Sequence, residues 1–565
     1  MFHPKQQLNL AFDRTRFSIA GIQVIIISSA MSISLFPRKL LAALPRMTNE
    51  LQSLDRLFSR SALSNEKATE YKDAITLLNC LQSNVINLKE CTKKIETGVP
   101  KHSQEECKVF LKRTGIKLET LENDLSVIHV SGTKGKGSTC AYCESILRSH
   151  GYKTGFFSSP HLVAVRERIR INGIPISEEK FVKHFWNVYR KLEANKDEYN
   201  GSMPFYFGFL TVMAIHVFLS EKVDVAVIEV GIGGENDCTN IFSNTPIVGI
   251  TSLGLDHTKL LGDRIEQIAW QKAGIMKAES TVIVSRDQPA TALQVLRDRA
   301  HEKNCILLEA PPIEDYKLEN YTNSSEIIKK SFDSSVIQEL NVSLALQLSY
   351  AWMARCKNRG NLNAIGKALT ICERSLDGIS NCYWPGRQQI LEPNDSRLTY
   401  YVDGAHTKES MLECAAWFNN KTKTRKSVKV LLFNVTSNRD SYELLSLLDD
   451  CQFDIVLFST NIANHNNYNI TSDQANLITS VASQLERCSE HVKIWQELAE
   501  SRITKRESET VRSFPSVRDA LDYLENLSGS EKREFSVLVT GSLHLVGAFF
   551  STVDPDLTFM KGKAS

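Results

Sequence analysis

The sequence lacks an excess of either charge sign, since 67 lysines and arginines face 65 aspartates and glutamates, for a net charge of +2. This balance gives no reason to expect a nucleic acid or a membrane surface as a partner. The chain also lacks internal repeats and low-complexity tracts. With 565 residues, 42% of them apolar, it has the size of two or more domains and the composition of an ordinary globular protein.

Paired cysteine spacings are scarce as well. Thirteen cysteines are scattered along the chain, and Cys140 and Cys143, with two residues between them, have no second pair nearby. Structural zinc sites usually combine two such pairs. We therefore expect reduced and mostly buried thiols, as in a protein of the cytosol or the mitochondrial matrix.

Acidic residues are nearly absent from residues 1–46, where Asp13 stands against six lysines and arginines. An acid-poor start that contains arginine and serine predicts a mitochondrial presequence. The apolar run FSIAGIQVIIISSAMSISLF leaves a secretory signal or a membrane anchor as the alternative, because it is about long enough to span a bilayer. The serines in this run, and cysteines that we expect to be reduced, favour the presequence over an exported or membrane-anchored form. Met47 could start a cytosolic form, and we expect no stable membrane span in the mature protein.

Short apolar runs bounded by Gly, Pro or Ser alternate with amphipathic helical stretches. The runs are SVIHVSG, YKTGFFSS, VDVAVIEVG, PIVGITSLG, STVIVSR, RLTYYVDGA, SVKVLLFNV, FDIVLFSTN and FSVLVTGS. This alternation predicts an α/β protein with parallel sheets, preceded by a helix within residues 67–97. A polar, aperiodic stretch at residues 310–338 suggests a boundary. We predict an N-terminal domain at residues 47–335 and a smaller α/β domain at residues 336–565.

A glycine-rich loop follows the first of these strands, with the sequence SGTKGKGST at residues 131–139. Its backbone N–H groups and a helix beginning near Ser138 would face a bound phosphate, and Lys136 could reach the terminal phosphates of a nucleotide. The loop departs from G-x-x-x-x-G-K-[ST], because two residues separate Gly132 from Gly135 and Gly137 follows the lysine. The sequence therefore indicates a phosphate loop but disfavours an ordinary kinase or GTPase.

Further candidates lie where other predicted strands end. Ser159 and Glu229 would share the edge of the sheet where ligands bind, and a carboxylate there is a natural Mg²⁺ ligand, although Glu229 could also be a structural acid. Imidazole is an unusual ligand for Mg²⁺, so the pattern alone suggests that His257 is a proton carrier, a Mn or Zn ligand, or a core histidine. Lys272, taken alone, reads as a solvated helix lysine.

Taken together, these segments resemble the folylpolyglutamate synthase family of the Mur ligase superfamily. The resemblance covers roughly residues 67–553. It rests on nine ordered blocks: GTKGKGST, FFSSPHLVAVRERIRING, PFYFGFLTVMAIHVF, VIEVGIGGENDCTN, TSLGLDHTKLLG, IAWQKAGIMK, WPGRQQ, VDGAHT and TGSLHLVGAF.

The resemblance implies a P-loop ATPase-type sheet domain, a smaller Rossmann-like domain and specific roles for single residues. The nucleotide-binding residues would be Thr133, Lys134, Gly135, Lys136, Gly137, Ser138, Arg387 and Asp403. The metal ligands would be Ser159, Glu229 and His257, the catalytic residues Lys136, Lys272 and His406, and the loop supports Asp237, Thr239 and Asn240. The resemblance further implies ATP, two magnesium ions with Lys272 carbamylated, and a monovalent cation as ligands.

The implied activity is the ATP-dependent addition of L-glutamate, through γ-carboxyl amide bonds, to tetrahydrofolate and its polyglutamates. The implied enzyme passes through an acyl phosphate. From the acid-poor start and Met47 we expect the protein in the mitochondrion (matrix or inner membrane-associated) and the cytoplasm, and we take a monomer as the default. Three alternatives remain: a dihydrofolate synthase or bifunctional form, a wall-precursor Mur ligase, and a nucleotide-binding pseudoenzyme. A Mur ligase of wall synthesis would not share SSPHLVAVRERIRING.

The sequence departs from the family pattern at two places. Asn236 replaces the aromatic residue of the turn G-G-x-Y-D. The stretch SFDSSVIQELNVSLALQ keeps Asn341 but lacks the family's Gly and His before it. This second departure puts the interdomain hinge and one ATP contact in question.

Overall fold

The computed structural model describes residues 16–19, 22–25, 71–81, 104–332, 335–356, 369–393, 396–436, 439–464, 472–474, 481–502, 509–555 and 558. It contains two units, residues 1–67 and 68–565. In the first unit, β1 (Arg16–Ile19) and β2 (Ile22–Ile25) form an antiparallel hairpin. The rest of the predicted presequence, residues 1–46, and Met47 lie outside the described residues, so targeting stays a prediction.

Residues 71–380 of the larger unit form helices and strands in alternation. The helices are α1 (Tyr71–Cys80), α2 (Gln104–Arg113), α3 (Leu118–Asp124), α4 (Lys136–Ser149), α5 (Glu178–Ala194), α6 (Tyr206–Glu221), α7 (Thr258–Leu261), α8 (Ile265–Ala273), α9 (Ala290–Glu302), α10 (Ser324–Lys330), α11 (Val336–Cys356) and α12 (Glu373–Ser380). The strands are β3 (Val127–Ser131), β4 (Thr154–Phe157), β5 (Ile169–Ile171), β6 (Ile174–Pro175), β7 (Val225–Glu229), β8 (Ile247–Ile250), β9 (Thr281–Val284), β10 (Ile306–Glu309), β11 (Lys317–Leu318) and β12 (Thr370–Ile371).

Eight of these strands form one sheet in the order β10-β9-β8-β3-β7-β4-β5-β6. The pairings from β10 to β4 are parallel, whereas β5 and β6 add antiparallel pairs at one edge. The central strands are apolar and buried along their whole length, as expected for parallel strands covered on both faces. The chain leaves β3 toward β4 on one side and later places β8 on the other, so the loop after β3 lies at a topological switch point.

Helices cover both faces of this sheet. One face packs against α5 and α6 through residues such as Phe185 and Phe209. The other packs against α4 and α11 through Ile146, Leu346 and Trp352. Because α11 belongs to this core, residues 336–356 pack with the first sheet. The boundary at 335/336 stays a prediction, and any domain division has to accommodate this packing.

Residues 389–553 form a second sheet with its own helices. Its strands are β13 (Gln389–Leu391), β14 (Leu398–Val402), β15 (Val428–Phe433), β16 (Ile455–Ser459), β17 (Thr510–Phe514) and β18 (Phe535–Thr540), in the order β13-β14-β18-β15-β16-β17. The helices are α13 (Lys408–Thr422), α14 (Ser441–Ser446), α15 (Val481–Ser501), α16 (Val517–Glu531) and α17 (Leu543–Val553). All pairings are parallel except β13 with β14.

One face of the second sheet shares its core with a segment of the first half of the chain. Leu162 and Ala164 are buried in the same cluster as Val546 and Phe549 of α17. The approach is close, because a Cβ on Gly547 would lie 2.3 Å from the carbonyl oxygen of Leu162. The two sheets are therefore joined by interdigitated side chains as well as by the chain connection.

The predicted α/β class with a larger, mainly parallel sheet and a smaller second sheet is confirmed. All nine apolar runs form strands, and the helix after the phosphate loop begins at Lys136, two residues before the predicted start. The described part of the predicted early helix is α1. The stretch predicted to be aperiodic, residues 310–338, contains β11 and α10. Among the described residues, no helix combines the length and the apolarity that are needed to cross a membrane.

Candidate active site

A cleft with a volume of about 1020 Å³ lies between the two sheets. It is lined by all but one of the proposed site residues: Thr133, Lys134, Gly135, Lys136, Gly137, Ser138, Ser159, Glu229, His257, Arg387, Asp403 and His406. The exception, Lys272, lies buried under the phosphate loop. Residues from both halves of the chain thus converge on one space.

The phosphate loop is held in place by its own backbone. The N–H groups of Thr133 and Lys134 donate to the carbonyl oxygen of Ser252, at 3.0 and 3.1 Å. Gly132 and Gly135 have φ of +147° and +82°, which a side chain would rarely tolerate. These contacts turn the loop so that α4 begins at the cleft. The first N–H groups of a helix lack intrahelical acceptors, so they can bind an anion there.

Asn341 of α11 packs directly on the loop, although the family residues before it are missing. Its Oδ1 accepts a hydrogen bond from Thr139 Oγ1 at 3.3 Å. A Cβ on Gly135 would lie 2.1 Å from the same oxygen. The altered segment therefore still brings an amide side chain against the phosphate loop.

We predict that Gly135→Ala impairs both folding and nucleotide binding. The left-handed φ and the clash with Asn341 should lower the free energy of unfolding by about 1–3 kcal/mol, and relief of the clash would shift the loop. Denaturant unfolding and nucleotide titration measure the two effects. Gly529→Ala is the matched control, since Gly529 lies in α16 with no atom within 4 Å of its added Cβ. Equal behaviour of the two variants would contradict the prediction.

Two lysines converge on one carbonyl oxygen beneath the loop. Lys272 Nζ donates to Gly132 O at 2.6 Å and Lys136 Nζ donates to the same atom at 3.1 Å. Burial and the charge of Lys136 lower the pKa of Lys272 well below its ordinary value. Because two like charges so close together are unfavourable, Lys272 is the amine that tends toward the neutral form.

Glu229 ends β7 inside the cleft and is 5% exposed. Its Oε2 accepts the N–H of Ser159 at 3.0 Å. Burial raises the pKa of Glu229, and the charge of Lys136 and the hydrogen bond from Ser159 act against that rise. The carboxylate and the Ser159 hydroxyl are oxygen donors of the kind that Mg²⁺ prefers.

His257 stands at the rim of the cleft in a left-handed conformation, with φ of 52°. Its N–H donates to Asp256 Oδ1 at 2.9 Å, and Asp256 faces Lys134 Nζ at 3.6 Å. Partial burial lowers the pKa of His257, which favours the neutral imidazole that a metal needs.

Within the described ranges, no group of three His, Cys, Asp or Glu side chains is close enough to hold a metal alone. Magnesium usually takes one or two carboxylates, with waters and substrate phosphates as further ligands. Glu229, Ser159 and His257 beside a phosphate loop fit that mode. Cys140 and Cys143 are buried in α4 as free thiols.

The second sheet contributes an arginine, an acid and a histidine. Asp403 accepts the N–H groups of Gln388 and Ala405, both at 2.8 Å. Burial raises the pKa of Asp403 and lowers that of Arg387, while their opposite charges act against both shifts. Asp403 thus organises the turn that carries Arg387.

His406 lies next to this turn. Its Nδ1 is 2.7 Å from Gly404 O, so this nitrogen carries the proton and Nε2 is the acceptor. Burial, reinforced by the charge of Arg439, lowers the pKa of His406 to about 3. With the proton on Nδ1, His406 presents Nε2 as a hydrogen-bond acceptor, and the predicted catalytic role of His406 stays a prediction.

The support residues tie the glycine-rich turn to α8. Asp237 accepts the N–H groups of Ile232 and Thr239 at 3.0 and 2.9 Å. Asn240 Nδ2 donates to the carbonyl oxygens of Glu235 and Gly274, each at 3.1 Å. The turn after Glu229 is thereby fixed against the helix that carries Lys272.

Three cationic or imidazole side chains of the cleft were not singled out from the sequence: Arg168, Arg439 and His544. Arg439 Nη1 donates to His406 O at 2.7 Å, and Arg168 Nε donates to His161 Nδ1 at 2.9 Å. Arg168 and His544 lie within family-like blocks, so the blocks signalled the segments but gave no role to these residues.

Comparison with known proteins gives consistent relatives, although no model of a protein family matches the chain. Mitochondrial folylpolyglutamate synthase of Bos taurus is 39% identical over 589 residues, which is 92% of this chain and 98% of that protein. The Homo sapiens protein of that name is 44% identical over 453 residues, 77% of this chain and 75% of its own. The yeast folylpolyglutamate synthase is 36% identical over 506 residues, 86% of this chain and 87% of its own.

Solved structures share the fold. E. coli FolC in complex with DHPP and ADP matches with a TM-score of 0.60 at 24% identity, covering 87% of this chain and 99% of that one. A Mycobacterium tuberculosis folylpolyglutamate synthase matches with a TM-score of 0.59 at 20% identity, covering 80% and 96%. With the cleft described above and relatives well above 30% identity over most of their length, the chain belongs to the folylpolyglutamate synthase family.

Proposed function

We propose that the cleft makes γ-glutamyl amide bonds by way of an acyl phosphate. As a member of its family the chain is a tetrahydrofolate:L-glutamate ligase. The observation that carries the proposed mechanism is the meeting, in one cleft, of the phosphate loop, Glu229 and the turn of Arg387 and Asp403. Such a site can hold a nucleotide between the two sheets.

The chemistry begins with an unreactive carboxylate. A γ-carboxylate does not react with an amine near neutral pH, so it first takes the terminal phosphoryl group of ATP. The loop N–H groups and the Lys136 ammonium stabilise negative charge on the phosphoryl oxygens. Magnesium bound at Ser159, Glu229 and His257 would offset further charge on those oxygens.

The second step is attack by the amine of L-glutamate on the acyl phosphate. A C–N bond forms, the amine loses a proton, and the C–O bond to phosphate breaks to leave a γ-glutamyl amide. Nothing in this step needs a protein nucleophile, so positioning of the two substrates accounts for most of the rate. The remaining cations of the cleft, Arg168 and Arg439, suit anionic substrates such as folate and glutamate.

Substrates bound to related proteins support these assignments. E. coli FolC holds DHPP and ADP, and a bifunctional folylpolyglutamate synthase/dihydrofolate synthase holds Mn, AMPPNP and L-glutamate. We infer that ATP, a divalent metal, L-glutamate and a folate occupy this cleft too. The bifunctional relative is the specific reason to keep dihydrofolate synthesis as the second candidate function.

We also propose a mitochondrial form and a cytoplasmic form. The bovine and human relatives are named mitochondrial, and residues 1–46 are acid-poor. A start at Met47 would give the cytoplasmic form. The monomeric state stays a prediction.

Ligation by the full chain tests the proposed function. The protein would receive magnesium-ATP and radiolabelled L-glutamate, with tetrahydrofolate in one reaction and dihydropteroate in a parallel one. We expect label in the folate product of the first reaction only. Label in both would favour the bifunctional alternative, and label in neither, with ATP still bound, would contradict the proposal in favour of a pseudoenzyme.

A further inference from the structure

Three residues of the connection between β16 and α15, Ser472–Gln474, reach across to the first half of the chain. We call them the strap. Their partners lie on α1 and in the segment from His161 to Val165, which follows Ser159 and Pro160 in sequence. Each of the three strap residues makes at least one hydrogen bond to these two elements.

Asp473 forms the centre of the strap and is partly buried. Its Oδ1 accepts hydrogen bonds from Tyr71 Oη and from the N–H of Val165, both at 2.7 Å. On one side, Ser472 O accepts from Asn79 Nδ2 at 3.0 Å. One carboxylate oxygen therefore ties α1 and the His161–Val165 segment together.

The side chain of Gln474 binds the backbone carbonyl groups of the His161–Val165 segment. Its Nε2 donates to Val163 O at 3.2 Å and also to Leu162 O. The N–H groups of Leu162, Val163 and Ala164 are already bonded to the carboxylate of Glu167. The segment is thus held by Glu167 on its donor side and by the strap on its acceptor side.

A histidine connects the strap to the cleft. His161 Nδ1 accepts from Arg168 Nε at 2.9 Å, so this nitrogen is unprotonated and Nε2 carries the proton. Nε2 lies 3.0 Å from the carbonyl oxygen of Asp473, to which it donates. Arg168 and Ser159, at either side of this segment, line the cleft.

We propose that the strap is a positioning element for ligation and that Asp473 is its positioning residue. By fixing the His161–Val165 segment, the strap sets Arg168 and Ser159 in the cleft, so part of the second half of the chain orients groups of the first. The inference rests on the proposed function. It assigns a role to residues far from the phosphate loop.

The environment of Asp473 disfavours its charged form. Burial raises its pKa to about 6 and the charge of Glu167 adds to the rise, while Val165 N–H, Tyr71 and Arg166 oppose it. A partly buried acid with a raised pKa makes folding less favourable once it ionises. An asparagine would keep an oxygen acceptor for Tyr71 and Val165 without that cost, so the proposed role needs the acceptor at this position and not the charge.

Asp473→Ala tests the proposal in the full chain. It removes the acceptor for Tyr71 and Val165, and we expect kcat/KM for tetrahydrofolate to fall by about 10- to 100-fold, as when other supports of site residues are lost. Nucleotide affinity should stay within about twofold, because Ser252 rather than the strap holds the phosphate loop. Asp473→Asn should recover most of the activity. Asp450→Ala is the matched control, as Asp450 is exposed just before β16.

The possible outcomes distinguish a failure of the strap proposal from a failure of the proposed function. Ligation that fails in the wild type and in Asp450→Ala would refute the function itself. Unchanged kcat/KM in Asp473→Ala, or an equal loss of nucleotide affinity and kcat/KM, would overturn the positioning role. Where Asp473→Ala does not fold, Gln474→Ala is the second variant, since it removes only the contacts to Leu162 and Val163. It should lower the same kinetic parameter, and unchanged kinetics there would also overturn the proposal.

Discussion

Lys136→Ala is expected to lower ligation by about a hundredfold to a thousandfold, with the fold intact, because removing one preorganised charge from a transition state costs about 10²–10³ in rate. The Lys136 ammonium belongs to the phosphate loop, and its hydrogen bond to Gly132 O at 3.1 Å is local. Incorporation of radiolabelled L-glutamate measures the rate, and thermal unfolding measures the fold.

Lys259→Ala is the control for this effect. Lys259 is an exposed lysine of α7, near the cleft but outside it, so its loss changes the net charge equally without touching the phosphate loop. The control should ligate at close to the wild-type rate. Full activity in Lys136→Ala would remove the loop from the phosphoryl-transfer site.

Lys272→Ala is expected to lower ligation by about a hundredfold, as for the loss of a group that supports a metal site, and small carboxylic acids should restore part of it. Burial and the charge of Lys136 lower the pKa of Lys272, so at a given pH more of this amine is neutral than for an ordinary lysine. A neutral amine is the form that reacts with carbon dioxide to give a carbamate. We propose that this carbamate would supply oxygen ligands to a second magnesium ion.

Three measurements check this prediction. Activity of the wild type should fall when bicarbonate and carbon dioxide are removed and recover when they are returned. Formate or acetate should raise the activity of Lys272→Ala but leave Lys136→Ala inactive. Lys277→Ala, which changes a partly buried lysine outside the cleft, should respond to neither treatment. A Lys272→Ala enzyme that ligates like the wild type would exclude Lys272 from the site.

The parts of the site that follow from local pattern were accessible from the sequence. The phosphate loop depends on glycines and lysines that are neighbours in the chain, and the edge rule for parallel strands placed Ser159 and Glu229 in the same cleft. Lys272 shows the limit of this reasoning. Its helix pattern suggested a solvated lysine, but the fold buries it under Gly132, and only the family resemblance pointed to it.

Residues that meet through tertiary packing were not predicted. Arg439 follows β15 and His544 lies in the first turn of α17, and no short-range pattern brings them to one cleft. The strap is a stronger case, because Asp473 lies 402 residues from Tyr71 and 308 residues from Val165 in the sequence. Short edge strands such as β6 and β13 also went unpredicted, since two or three residues carry too little periodicity to be recognised.

The burial of Leu162 and Ala164 in the core of the second sheet has a consequence for how the protein unfolds. The smaller half cannot complete its own apolar interior, because a piece of the larger half fills it. If the second sheet and its helices were expressed alone, an apolar cavity beside α17 would be exposed to solvent, and the fragment would tend to aggregate. On heating, both sheets of residues 68–565 should therefore unfold in a single calorimetric transition rather than in two.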